Sequence, residues 1–131
     1  MNLRALLRLA PMCIMMAAIF YLSHQPGYLL FLPPFKWSDK LVHFTVYALL
    51  GSSVVYAFPQ TFARQRATLV LITVIVVCGL YGIGDEYHQS FIPGRYPSAT
   101  DALADGLGGL CAGLIWYGCV KSTEISGPAP P

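Results

Sequence analysis

Residues 82–105 read GIGDEYHQSFIPGRYPSATDALAD, and this block holds four of the six acidic residues of the chain, with His88 and Arg95 among them. It is bounded by ATLVLITVIVVCGLYGIG (67–84) and ALADGLGGLCAGLIWYGC (102–119), each long and apolar enough to cross a bilayer. A polar block between two such runs lies at a membrane surface. Ionisable groups that dip from it into the flanking spans are costly to keep there, which marks them as functional candidates.

The composition agrees. With 56% hydrophobic and 11% charged residues in 131, the chain is too apolar for a soluble domain and has the size of one small integral membrane domain. A formal charge of +2, with Lys and Arg scattered, gives no nucleic-acid footprint. Cys13, Cys78, Cys111 and Cys119 lie in apolar runs without C-x-x-C or Cys/His spacing, so they read as buried small hydrophobes rather than as a zinc site or a disulfide framework.

Hydropathy predicts an all-α protein, a compact bundle of four transmembrane helices at about 3–22, 41–58, 67–84 and 101–120, forming one domain over 1–121 with a disordered Gly/Pro-rich tail at 122–131. The basic start of the first run also fits a secretory leader, but no small-x-small cleavage site precedes Ser23, so it reads as a span. Pro26, Gly27, Pro33 and Pro34, set among aromatic residues, predict an interfacial loop. Thr61–Arg66 reads as a linker, and Ser38 or Asp39 as the N-cap of the second span.

Arg4, Arg8, Arg64, Arg66 and Lys121 fall on one side of this topology and Lys36, Lys40 and Arg95 on the other, which places both termini in the cytoplasm. Asp39, Asp85, Glu86, Asp101 and Asp105 then share the outer side, and Glu124 lies inside. Confined to one half of the membrane, these acids offer no path across it, which argues against transport.

Helical spacing sharpens the picture, because residues i and i+4 share a face. Asp39, His43 and Tyr47 form one stripe. Asp101, Asp105, Gly108 and Ala112 form another, so the acids of the fourth span lie on its small-residue strip and point into the bundle. Gly109 and Gly113 add a second small pair. Glu86 and Gln89 share a face if the third helix persists, whereas His88 points away from Glu86. Together these predict an outward pocket walled by spans two, three and four and roofed by the Phe91–Pro97 loop, with Arg95 offsetting part of its negative charge.

Three patches give the chain a resemblance: Asp39-Lys40-x-x-His43-Phe44, Glu86-x-x-Gln89-x-Phe91-x-Pro93-Gly94-Arg95, and Ser98-x-x-Asp101-x-x-x-Asp105-x-x-Gly108. With Tyr21-x-Ser23-x-Gln25-Pro26 as a weaker fourth, they resemble the VanZ-like family of small bacterial membrane proteins. Asp105 departs from that pattern, standing where the family more often has Asn. The resemblance implies a multi-pass protein of the bacterial cytoplasmic membrane, in a family named for a link to teicoplanin susceptibility, with membrane lipids as partners.

Three readings of the polar residues follow. In the first, Asp39, Lys40, His43, Glu86, Gln89, Arg95, Asp101 and Asp105 bind a lipid-linked envelope head group or an amphiphilic lipoglycopeptide, without catalysis or a resident cofactor. In the second, Asp39, His43, Glu86, Asp101 and Asp105 hold a divalent cation, and Glu86, His88 and Asp105 are the candidate catalytic groups of a hydrolase or transferase acting on a lipid-linked phosphate or sugar. In the third, the cluster is structural: Asp39 and Asp101 cap helices, Arg95 pairs with Glu86, and His43 bonds Asp105.

Overall fold

The structure, a computed structural model, describes residues 3–29 and 34–125, with side chains through Thr123. Among them there is no strand. The elements are α1 (Leu3–Ser23), a 3-10 turn (Gly27–Leu29), α2 (Ser38–Ala57), a short α3 (Gln60–Gln65), α4 (Ala67–Gln89) and α5 (Ala99–Ile125). Four of the helices are long and apolar enough to cross a membrane. At about 1.5 Å per residue, a 20-residue helix matches a hydrocarbon core of about 30 Å, and a helix satisfies its own backbone where no water can.

The bundle has little apolar interior of its own. Tyr47, Leu50, Val54, Val74 and Cys78 form its centre, while Leu69, Ile72, Leu80, Ile83, Leu107 and Ile115 stand exposed on the outer faces, where lipid would cover them. Only Cys78 of the four cysteines is buried. Cys13 and Cys119 are exposed and Cys111 is intermediate, because an apolar run in a bundle of this size has more lipid-facing than inward positions.

Glycine sets the helix spacing. The most extensive packing is between α2 and α5, then between α4 and α5, which makes α5 the centre of the bundle. A Cβ on Gly108 would run into the carbonyl oxygen of Phe44 in α2, and one on Gly109 into Cys78 of α4. Gly113 faces Leu71 and Val74, and Gly51 faces the backbone of Gly109. Both small-residue strips therefore seat neighbouring helices. α1 is peripheral and is held to α4 by a hydrogen bond from the Tyr81 hydroxyl to the carbonyl of Met16 (2.7 Å).

Several boundaries differ from the sequence expectation. α4 runs five residues beyond Gly84 to Gln89, because Asp85, Glu86 and Gln89 point inward to partners rather than out to solvent. It ends in a turn closed by Arg95 N–H to Ile92 O (3.1 Å), with Pro93 and then Gly94 at φ +74 in the middle, the conformation a type II turn reserves for glycine. The expected linker at 61–66 is mostly the helix α3. α5 continues through Ile125 into the stretch expected as a tail; residues 126–131 and the side chain of Glu124 lie outside the described part, as does Pro33 of the interfacial loop.

Candidate functional site

The start of α2 carries the first surprise. Trp37 precedes the helix and no side chain caps it, so neither Ser38 nor Asp39 plays the expected role. Asp39 instead accepts from Lys40 Nζ (2.9 Å), and the same ammonium reaches across to Asp101 of α5 (2.8 Å). Asp101 is likewise no cap: Ser98 precedes α5, its carbonyl accepting the N–H groups of Asp101 and Ala102. A charge-assisted bridge between two helices outcompetes a local cap for both carboxylates. Lys40 is thus a clamp between α2 and α5 rather than a chain reaching out to water.

One turn deeper, His43 Nδ1 lies 2.9 Å from Asp105 Oδ1 and 4.0 Å from Glu86 Oε1. Asp105 has no solvent exposure, and Glu86 is 7% exposed. Gly82 makes room for Asp105, since a Cβ there would fall 2.8 Å from Asp105 Oδ2. The other Glu86 oxygen accepts the Ser98 N–H (2.6 Å), which locks the end of α4 to the start of α5. Asp85, also 7% exposed, accepts from Gln89 Nε2 (2.9 Å), and Gln89 reaches Ser23 of α1 (3.5 Å). Ligating atoms of His43, Asp85, Glu86 and Asp105 all lie within 4.8 Å of one another. Among the described residues, three buried side-chain polar atoms have no hydrogen-bond partner: Glu86 Oε1, Asp105 Oδ2 and the Tyr47 hydroxyl.

Above this cluster is a cavity of about 380 Å³. His43, Tyr47, Asp85, Gln89 and Asp101 give it a polar side; Ile19 and Leu22 of α1, with Val42 and Val46 of α2, give it an apolar one. Gly94–Tyr96 lies over it, as the sequence predicts for this loop. The wall contributed by α1 is not foreseen in the sequence, because Ile19 and Leu22 look like any other apolar residues of that run and Ser23 is its single polar residue at the cavity.

Arg95 borders the cavity but does not pair with Glu86. Its guanidinium donates to the carbonyls of Leu22 (2.9 Å) and Gln25 (3.3 Å), pinning the turn onto the end of α1. A contact between Gly27 N–H and Pro93 O (3.1 Å) completes the clasp, and the backbones there approach so closely that a Cβ on Gly27 would strike Gly94. Burial draws the Arg95 pKa down from its ordinary value while Asp85 and Glu86 draw it back up. An arginine remains a cation throughout the biological pH range.

Of the residues expected to act together, His43 bonds Asp105 and lies 4.0 Å from Glu86, Gln89 sits beside them through Asp85, and Asp39, Lys40 and Asp101 form a separate bridge above. His88 is elsewhere: its ring stacks with His24 and lies over Phe20, with Nε2 3.2 Å from His24 Nδ1. Asp85 is the residue missing from the sequence-derived site. Its signal was the i, i+4 spacing to Gln89, legible only once α4 extends past Gly84.

The VanZ/LLP1 family profile matches residues 8–121. The chain belongs to the VanZ/LLP1 family. An uncharacterized protein of Schizosaccharomyces pombe is 38% identical over 85 residues, covering 63% of this chain and 49% of that protein, so the chain spans about half the length of this relative. No solved structure matches. Since this VanZ/LLP1 chain has a relative in a yeast, neither a bacterial membrane nor antibiotic resistance follows from the match alone.

Proposed function

We propose that this VanZ/LLP1 chain is a membrane protein that binds the polar head of an anionic, phosphate-bearing lipid in the cavity at one end of its bundle, and that this end faces away from the cytoplasm. The observation that carries the reading is the two-sided cavity: an apolar wall from α1 and α2 meets a polar floor in the same space, which suits a molecule with one apolar and one polar end. Arg95 supplies the positive charge at the rim, with donors to spare beyond the two that its carbonyl partners occupy. The orientation rests on Arg4, Arg8, Arg64, Arg66 and Lys121 belonging to the opposite end.

Size narrows the ligand. At about 30 Å³ per water-sized group, the cavity takes roughly a dozen non-hydrogen atoms. That suits a phosphate head with its glycerol or a single sugar, and is far too little for a whole lipoglycopeptide.

The test is lipid retention by the detergent-purified protein. Native mass spectrometry after incubation with equal amounts of phosphatidic acid and phosphatidylcholine is expected to show the anionic lipid bound in preference, with Arg95→Gln lowering that retention by about fivefold to tenfold. Equal retention of both lipids by the unaltered protein, or no change on replacing Arg95, would overturn the reading.

A further inference from the structure

We infer that His43, Asp85, Glu86 and Asp105 form a binding site for one first-row divalent cation, Mn²⁺ or Zn²⁺, at the floor of the cavity.

Charge comes first. Three carboxyl groups and one imidazole are gathered where a bilayer would surround them, and the cations nearest to them have other work. Lys40 is held by Asp39 and Asp101, and Arg95, whose charge Asp85 and Glu86 feel at a distance, donates to the carbonyls of Leu22 and Gln25 and makes no hydrogen bond to the cluster. A cluster of acids in low dielectric needs protons or a cation among its members.

Geometry then favours a cation. Donor atoms about 2.0–2.2 Å from one metal lie about 3–4.4 Å from one another in tetrahedral or octahedral arrangements. The four side chains offer donors within 4.8 Å, so a contraction of a few tenths of an ångström brings them into range. Asp105 Oδ2 and Glu86 Oε1, both on side chains more than nine-tenths buried, have no hydrogen-bond partner, although buried carboxylate oxygens ordinarily find one. Within the same cluster every other carboxylate contact is short and well placed, so these two oxygens are not victims of loose packing.

The donor set selects the ion. One imidazole and three carboxylates suit Mn²⁺ or Zn²⁺ better than Mg²⁺ or Ca²⁺, which prefer oxygen donors alone. His43 and Asp85 also line the cavity, whereas Asp105 is closed off behind them. A cation here would keep a coordination position towards the cavity, where a phosphate oxygen could bind. That last step rests on the head-group reading; the cation site does not.

The experiment uses the full chain carrying a streptavidin-binding tag in place of polyhistidine. The protein is stripped with EDTA, reloaded with Mn²⁺ or Zn²⁺, desalted and measured by elemental mass spectrometry. About one ion per chain is expected, falling about tenfold or more in Asp105→Asn and in Glu86→Gln and persisting when His24 and His88 are both replaced by Ala. Added metal should also raise the thermal midpoint of the unaltered protein and leave that of Glu86→Gln unmoved.

Metal content at background in the reloaded protein would overturn the inference even if neither cluster variant folds, and so would metal that disappears with the His24 and His88 pair. Selective phosphatidic acid retention without metal would sink the cation site and leave the head-group reading standing. Bound metal without lipid preference would do the reverse.

Discussion

The two ends of the bundle both contain a cavity, and the larger one has less to recommend it. At the end with the excess of basic residues, a space of about 630 Å³ is bordered by Arg8, Tyr56, Arg64, Trp116 and Thr123, against about 380 Å³ at the other end. Among the described residues no acidic side chain lines the larger space, and Arg8 is already donating to the Phe58 carbonyl (3.0 Å). The smaller one sits over Asp85, Glu86 and Asp105, two of which carry buried oxygens with no partner. What separates a site from a gap here is the cost of the groups kept there, since an unpaired buried carboxylate is far more expensive than a void.

The comparison is sharpened most by testing where the helices are forced together. Gly108, one turn below Asp105 on α5, lies against the Phe44 backbone, while Gly118, towards the opposite end of the same helix, has nothing within 4 Å of where its Cβ would be. Gly108→Val should therefore push α2 and α5 apart and destabilise the bundle by about 3 kcal/mol. Gly118→Ala should be neutral to stabilising, by up to about 1 kcal/mol. Thermal aggregation midpoints in detergent compare the two directly. Similar losses at both positions would mean that α5 does not pack on α2 as described.

How much of this was legible beforehand follows from the same contrast. The four spans could be read because hydropathy reports apolar faces whichever way they point, and most of the large apolar side chains of these helices point outward. Inward-pointing polar residues were harder. The spacing of Asp101 and Asp105 exposed them through the small-residue strip they share with Gly108, but Asp85 lay hidden in a polar block read as the end of a helix. An acid at a helix start has two uses that look identical in sequence, cap or ion pair, and Lys40 settles the matter for Asp39 and Asp101 only in three dimensions. His88 invited a catalytic role by its neighbours in the chain, yet its position on α4 turns it to His24 and Phe20.

Lys40 offers the next test. Its ammonium joins α2 to α5 through two carboxylates, in a bridge whose side chains are 24%, 39% and 12% exposed for Lys40, Asp39 and Asp101. Partial exposure limits its worth. Lys40→Met is expected to lower stability by about 1 kcal/mol, with the loss diminished in high salt because the ion pairs it removes are themselves screened there. A loss several times larger would show that Lys40 also balances the deeper acids, and the separation drawn between the upper bridge and the His43 cluster would fail.

The smallest effect is expected from Arg64, and it is the one that tests the comparison most evenly. Arg64 and Arg95 each carry a cation at the border of a cavity, one at either end. Arg95 is half-buried and tied to two carbonyls beside the carboxylates, whereas Arg64 is an exposed residue on the short helix α3. Arg64→Gln should change the thermal midpoint by no more than about 0.5 kcal/mol of stability would allow, and leave phosphatidic acid retention as it was. If positive charge at a cavity mouth were enough to hold an anionic lipid, Arg64→Gln and Arg95→Gln would weaken retention alike. A loss confined to Arg95→Gln would tie retention to the end where charge, an apolar wall and buried acids converge.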